Sequence, residues 1–210
     1  MAAELARHGV RVTPEAVQRA EWQARVHLDD QVFSRAAGVS TETQESANLY
    51  LRFVLQALGI ADGRTIAQVT EWRRTYNRPI GLWTAHDPQA LEALALVRSS
   101  GARAAAISNS NGSVASVLAA VGLGSQLDFV VDSGQVGVEK PNPRIFELAL
   151  ARAGVAPSEA AYIGDFYSID VRGATAAGLR AVLLDPGEFW GARDCAKAPD
   201  LLSAVRLALA

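Results

Sequence analysis

Residues 161–170 read AYIGDFYSID: a short apolar run ends in Gly164, and two carboxylates, Asp165 and Asp170, follow directly. An apolar run of this length, bounded by a glycine and polar residues, is typical of a buried strand. The residues from 171 to 177 then predict a helix. The stretch therefore predicts a strand, a polar turn and a helix in succession, which is the unit from which parallel sheets are built.

The same succession recurs through the chain after residue 81. Apolar runs that predict buried strands alternate with segments that predict helices, and the predicted strands are residues 104–107, 129–131, 161–163 and 181–184. Strands that alternate with helices favour a parallel sheet covered by helices on both faces. Residues 82–210 are therefore predicted to form a three-layer α/β core with a Rossmann-like parallel sheet.

Before this core, every strong signal is helical. Thr13 with Pro14 predicts the start of one long helix. Thr41, with Gln44 three residues later, predicts a capping box at the start of a second, amphipathic helix. Residues 1–81 are therefore predicted to form a separate α-helical domain.

Composition excludes several classes of protein. With 210 residues, 50% of them hydrophobic and 20% charged, the chain is predicted to fold around a substantial core. No apolar run reaches the roughly 18 residues that a membrane span needs. A net charge of -2 without runs of like charge gives no reason to expect a nucleic-acid or membrane partner. The single cysteine, Cys195, excludes an internal disulfide and fits a reducing compartment, so a cytoplasmic location is expected.

Ligands of open parallel sheets bind beyond the carboxyl ends of the strands, so polar residues there are candidate site residues. Ser108 and Asn109 follow the first predicted strand, Lys140 follows the second, and Asp165 and Asp170 follow the third. Each has an ordinary alternative explanation, because Ser, Asn and Asp are common helix caps and a lysine is usually a solvated surface group. Together, however, a hydroxyl, an ammonium and a carboxylate pair can hold a phosphoryl group beside Mg²⁺.

Three segments, residues 107–109, 140–141 and 164–170, resemble in this order the second, third and fourth motifs of the haloacid dehalogenase-like hydrolases. The resemblance covers roughly residues 85–186. It implies that the helical residues 1–81 are the cap domain that this family inserts beside its α/β core.

The resemblance also implies a role for each candidate residue. Ser108 and Asn109 would bind the phosphoryl oxygens, and Lys140 would bind the phosphate and neutralise charge on the reacting groups. Asp165 would bind Mg²⁺ directly or through water, and Asp170 would orient Lys140 or act at the metal ion. The implied catalytic residues are thus Ser108, Lys140 and Asp170, the implied metal residues are Asp165 and Asp170, and the implied substrate is a small phosphorylated metabolite.

One part of the family pattern is absent from these 210 residues: the first motif, an apolar strand ending in Asp-x-Asp, which carries the nucleophile. Asp29 and Asp30 do not supply it, because they are adjacent and lie in a predicted helix. The core is therefore expected to lack its first strand and to leave two strand flanks unpaired. This chain is expected to be inactive, and a start assigned too far downstream, a fragment and a truncated inactive protein all stay open.

Two other functions stay open beside a Mg²⁺-dependent phosphatase. A 2-haloacid dehalogenase would share the architecture without needing a metal, although Gly164 followed by Asp165 favours the phosphatase. A truncated protein that binds phosphate-bearing ligands without turnover would need no nucleophile. The sequence fixes neither the substrate nor the oligomeric state, so a homo-oligomer stays open as well.

Overall fold

The computed structural model of the chain describes residues 1–35, 39–76 and 87–210. The chain divides by its contacts into two compact units, Met1–Leu82 and Trp83–Ala210. The predicted domain boundary between residues 81 and 82 lies outside the described residues. Within the described ranges, no helix combines the length and the apolar character that crossing a membrane requires.

The described part of the first unit is helical. Its α-helices are α1 Ala2–Arg7, α2 Pro14–Leu28, α3 Gln44–Ala57 and α4 Gly63–Tyr76, and a π-helical turn, Asp29–Phe33, continues α2. Apolar side chains of α1, α3 and α4, with Ile60 from the segment between α3 and α4, meet in a cluster of buried side chains, Leu5, Leu51, Leu55, Ile60 and Val69. This cluster gives the first unit a core of its own.

Side-chain caps set where two of these helices begin. The Thr13 hydroxyl accepts a hydrogen bond from a first-turn N–H of α2 (3.2 Å), as predicted. The prediction for α3 is wrong, because Thr43 and not Thr41 is its N-cap, with the Thr43 hydroxyl accepting from the Ser46 N–H (3.0 Å). Thr43 has the extended backbone that an N-cap requires, whereas Thr41 lies in the preceding turn.

The second unit alternates strands with helices. Its strands are β1 Ala105–Ser108, β2 Phe129–Asp132, β3 Ala161–Gly164, β4 Arg180–Leu184 and β5 Ala196–Ala198. Its α-helices are α5 Ala90–Ser99, α6 Val114–Ala120, α7 Ser133–Val136, α8 Pro143–Ala153, α9 Arg172–Ala176 and α10 Leu201–Leu209. Single helical turns lie at Gly124–Gln126, Pro157–Glu159 and Tyr167–Val171. All four predicted strands are present, whereas β5 and α10 were not predicted.

All strand pairs are parallel, which confirms the predicted α/β class, but the strands form two sheets. β1 pairs with β2, while β3, β4 and β5 form a second sheet in that order. Among the described strands, β1 and β3 therefore each have a partner along one edge only. Their residues are half-buried or exposed, whereas most residues of β2 are buried.

The helix α8 connects the two sheets. It begins at Pro143 with the Asn142 side chain as its cap, as predicted. Its apolar face enters a cluster of buried side chains from β2, α8 itself, α9 and the residue before β4, comprising Phe129, Val131, Ile145, Phe146, Ala149, Leu150, Ala174 and Leu179. Ile107 of β1 and Tyr162 of β3 pack against the same cluster. This shared cluster holds the ends of β1 and β3 close enough for the residues after them to interact.

Candidate functional site

Lys140 lies at the centre of a buried polar network. Its side chain is 11% exposed, and its ammonium donates hydrogen bonds to Asp170 Oδ1 (2.7 Å) and to the Tyr162 hydroxyl (2.9 Å). The Tyr162 hydroxyl in turn donates to the Ile107 carbonyl (3.1 Å). Burial alone would lower the pKa of Lys140, but the Asp170 charge and these hydrogen bonds outweigh burial and hold the pKa above its ordinary value of 10.5. The lysine is therefore a permanent buried cation.

Asp170 is fixed by contacts on both of its carboxylate oxygens. It lies in the π-helical turn Tyr167–Val171, and its Oδ2 accepts hydrogen bonds from the N–H groups of Asp165 (3.0 Å) and Phe166 (2.9 Å). Its Oδ1 faces Lys140. A Cβ at Gly164 would lie 2.3 Å from Asp170 Cβ, so only glycine allows this approach. Asp170 is thus placed to orient the ammonium.

Ser108 and Asn109 reach the same network from the end of β1. The Asn109 side chain accepts from the Lys140 N–H (2.8 Å) and donates to the Lys140 carbonyl (2.9 Å), so it holds the lysine backbone from both sides. The Ser108 hydroxyl is half-buried and donates to the Asn109 carbonyl (3.3 Å). The structure therefore brings Asn109, Lys140 and Asp170 together by direct contacts, with Ser108 next to Asn109 in the chain. The sequence predicted all four as site residues.

Asp165 supplies a half-buried carboxylate at the end of β3. Among the described residues, no group of three or more His, Cys, Asp or Glu side chains is arranged to hold a metal ion. Mg²⁺ usually keeps several waters and binds one or two carboxylates together with substrate phosphates. The Asp165 carboxylate could serve as one of these one or two protein ligands. Both oxygens of Asp170, by contrast, accept hydrogen bonds from the Lys140 ammonium and from backbone N–H groups.

Two residues, one in this network and one near its β1 end, were not found by the sequence patterns. Tyr162 lies inside a predicted strand, where an aromatic residue is ordinary, so no signal distinguished it. Asp132 ends β2 directly opposite Ser108, and its buried carboxylate accepts hydrogen bonds from three backbone N–H groups. Asp132 directly follows the predicted strand 129–131, so the same strand-end reasoning that located Ser108 applies to it.

A parallel α/β core with polar residues at its strand ends is the architecture of a Rossmann-like protein. The family model of the haloacid dehalogenase-like hydrolases matches residues 3–178. The chain therefore belongs to this family.

Two relatives illustrate the extent of the similarity. The chain is 32% identical over 184 residues to the human haloacid dehalogenase-like hydrolase domain-containing protein 3, across 84% of this chain and 70% of that protein. It is 51% identical over 70 residues to the phosphoserine phosphatase of Thermus thermophilus, across 33% of this chain and 28% of that protein. The matched stretch thus spans less than a third of the phosphatase's length.

A solved structure with the same architecture is a haloacid dehalogenase-like hydrolase of Bacillus subtilis bound to magnesium. It matches with a TM-score of 0.64 at 14% sequence identity, covering 98% of this chain and 87% of that one. At this identity the likeness concerns the fold alone. It confirms the predicted α/β fold of the family, in which a core is accompanied by a cap domain.

Proposed function

We propose that the site binds the phosphoryl group of a small phosphorylated metabolite, and that the whole protein hydrolyses the phosphate ester. The observation that carries the proposal is the buried Lys140 ammonium, which Asp170 holds by its charge and Asn109 holds through the backbone. A fixed cation suits the negative oxygens of a phosphoryl group. The similarity to a phosphatase from Thermus thermophilus supports the same class of reaction.

The proposed roles are those that the family resemblance implies. Ser108, Asn109 and Lys140 bind the phosphoryl oxygens, while Asp170 keeps the ammonium in place. Asp165 would hold a Mg²⁺ ion, whose charge offsets that of the phosphoryl group when it is bound. The helical first unit is proposed to be the cap domain that the family resemblance implies.

The proposed chemistry needs a nucleophile that these 210 residues do not supply, because they contain no strand ending in Asp-x-Asp. In the family's reaction an Asp carboxylate attacks phosphorus, the alcohol leaves, and water hydrolyses the aspartyl-phosphate. Losing such a nucleophile costs on the order of 10⁶ in turnover. We therefore propose that this chain binds phosphate but does not hydrolyse esters, and that a form carrying the Asp-x-Asp strand does.

The alternative enzyme is a 2-haloacid dehalogenase, which needs no metal ion. The Asp165 carboxylate at the end of β3 favours the phosphatase, because a metal ligand has no part in dehalogenation. The two enzymes differ in their response to a chelator, so one assay can separate them.

The test compares this chain with a form extended by the codons that precede Met1, where these encode an apolar strand ending in Asp-x-Asp. We expect the extended form to hydrolyse p-nitrophenyl phosphate with Mg²⁺ and to lose this activity in a chelator, while the 210-residue chain stays inactive. We also expect Lys140→Met to reduce the extended form's turnover by about 10²- to 10³-fold.

Lys197→Met is the matched control. Lys197 is the chain's only other lysine and also pairs with a buried carboxylate, Asp185 (2.8 Å). The Lys197→Met substitution is expected to affect the stability of the extended form rather than its turnover. Full activity in chelator, or halide release from a 2-haloacid with the phosphate ester untouched, would contradict the phosphatase. A stop codon directly upstream would support a phosphate-binding protein without turnover.

A further inference from the structure

Asp132 is buried beside the proposed phosphate-binding residues and belongs to none of the family motifs recognised in the sequence. It is 2% exposed and lies opposite Ser108 in the β1–β2 register. Its Oδ1 accepts hydrogen bonds from the N–H groups of Gly112 (3.0 Å) and Gly134 (3.0 Å). Its Oδ2 accepts from the N–H of Val114 (3.2 Å). The carboxylate is therefore directed at the chain that follows Ser108, and three N–H groups offset its charge.

The two residues after Asp132 hold the same stretch of chain. The Ser133 hydroxyl accepts from the Ser110 N–H (2.9 Å) and donates to the Ser110 carbonyl (3.0 Å). The Gly134 N–H also donates to the Ser110 carbonyl (2.8 Å). A Cβ at Gly134 would lie 2.7 Å from that carbonyl oxygen, so this approach requires glycine. We call Asp132, Ser133 and Gly134 the clamp, and residues 108–113 the Ser108 loop.

The clamp holds alternate N–H groups, those of Ser110 and Gly112 in the Ser108 loop and that of Val114 just after it. A loop held at three points has few conformations left. Asn109 lies within the loop and grips the Lys140 backbone through two hydrogen bonds. A continuous set of contacts therefore runs from the clamp through Asn109 to the lysine.

We propose that the clamp consists of positioning residues for phosphate binding: it fixes the Ser108 loop and, through Asn109, the position of Lys140. The proposal rests on the proposed function, because it takes Ser108 and Lys140 to be the groups that meet the phosphoryl oxygens. The charge of Asp132 is essential to the clamp, since an asparagine offers one acceptor oxygen to three N–H donors. The side-chain nitrogen of the asparagine cannot accept a hydrogen bond, so at least one of the three N–H groups would lose its acceptor.

The test uses the full chain, uniformly labelled with ¹⁵N, and inorganic phosphate as the probe. In Asp132→Asn we expect the Gly112 or the Val114 amide, whichever faces the new side-chain nitrogen, to exchange its hydrogen about 10- to 100-fold faster, because a buried bond to a charged acceptor is lost. We expect the dissociation constant for phosphate to rise at least about tenfold through the same loss of loop order. Ser133→Ala is expected to accelerate exchange of the Ser110 amide in the same way.

Asp185→Asn is the matched control. Asp185 is equally buried, accepts a backbone N–H from Trp190 (3.2 Å) and lies just after β4, outside the clamp. Its replacement is expected to change phosphate affinity and amide exchange in the Ser108 loop by less than about twofold, as for independent sites.

The outcomes separate the clamp from the proposed function. Unchanged exchange at Gly112 and Val114 in Asp132→Asn, or equal acceleration across the whole second unit, would overturn the clamp. A selective acceleration in the Ser108 loop with weaker phosphate binding supports it. If the wild-type chain does not bind phosphate, the proposed function fails, and the hold of the clamp on the loop is then judged by amide exchange alone.

Discussion

Gly164 is a residue whose side chain is excluded by the site itself. A Cβ there would lie 2.3 Å from Asp170 Cβ and 2.4 Å from Asp170 Cγ, well inside van der Waals contact. We therefore expect Gly164→Ala to push Asp170 away from Lys140, to destabilise the chain by about 1–3 kcal/mol and to weaken its binding of inorganic phosphate. Urea unfolding and a phosphate titration measure the two effects.

Gly63→Ala is the control for this substitution, because a Cβ at Gly63 meets nothing within 4 Å. Gly63 is the first residue of α4, so alanine is expected to change stability by less than about 1 kcal/mol. If Gly164→Ala were as stable as the wild-type chain and bound phosphate equally well, the close approach would not be what sets the position of Asp170.

Single residues of the site could be predicted where a strand-end position and a residue type coincide. This holds for Ser108 and Asp165, which directly follow apolar runs and carry groups that ligands need, whereas the helix α7 lies between β2 and Lys140. The contact of Asp170 with Lys140 was implied by the family resemblance alone, because no sequence period signals the π-helical turn on which it depends. Sequence patterns thus indicate which residues reach the sheet edge but not which way their side chains turn.

At the scale of elements, Asp200 stabilises the last helix. Its Oδ1 accepts the Ser203 N–H (2.7 Å) at the start of α10. This hydrogen bond holds the pKa of Asp200 below its ordinary value of 3.8. A carboxylate whose pKa is lower in the folded chain than in the unfolded chain stabilises the fold at pH values above its ordinary pKa. This stabilisation is lost as the pH falls through the pKa of the folded state. The cap should therefore act at neutral pH and fail in acid.

We expect Asp200→Ala to lower the melting temperature by several degrees at pH 7, because one N–H of α10 loses its acceptor. The difference from the wild-type chain should shrink as the pH is lowered below 3.8, the ordinary pKa of this carboxyl group. Asp200→Asn keeps an acceptor that does not titrate, so it should melt close to the wild-type chain at pH 7. Melting curves at a series of pH values test this, and a difference for Asp200→Ala that persists undiminished in acid would contradict it.

Element boundaries could be predicted where a cap and a proline stand together, as at Thr13 with Pro14 and at Asn142 with Pro143. Thr41 misled the prediction because a threonine two residues later competes for the same role and has the right backbone. β5 is too short for a period to show, and it spans only Ala196–Ala198. Its existence depends on pairing with β4, which is a tertiary contact.

At the scale of the whole molecule, the second unit holds two separate parallel sheets together without backbone pairing between them among the described strands. The connection is made by α8 and by the polar contacts around Lys140. The alternation of strands and helices predicted the class of fold correctly. The division into two sheets depends on which strands pair, and these pairings join residues far apart in the chain. No local sequence pattern indicates them.

Phe146 is the side chain on which this connection most depends. It is fully buried in the shared cluster, and its ring meets that of Tyr162 edge to face at 5.0 Å. We expect Phe146→Ala to cost about 3–5 kcal/mol in the free energy of unfolding. Because a pair of strands is marginally stable without packing, amides of β1 and β2 should lose protection before those of β3, β4 and β5. Urea unfolding and native-state hydrogen exchange measure these effects.

Leu202→Ala provides the comparison that makes the result specific. Leu202 is buried with Ala93 and Val205 against Ile163 of β3, and it is not part of the cluster around α8. Its loss should cost about 2–5 kcal/mol and lower protection in both sheets together, because the connection through α8 is intact. If Phe146→Ala also lowered protection uniformly, the polar contacts around Lys140 would be sufficient to hold the two sheets together, and the site would then be part of what stabilises the fold.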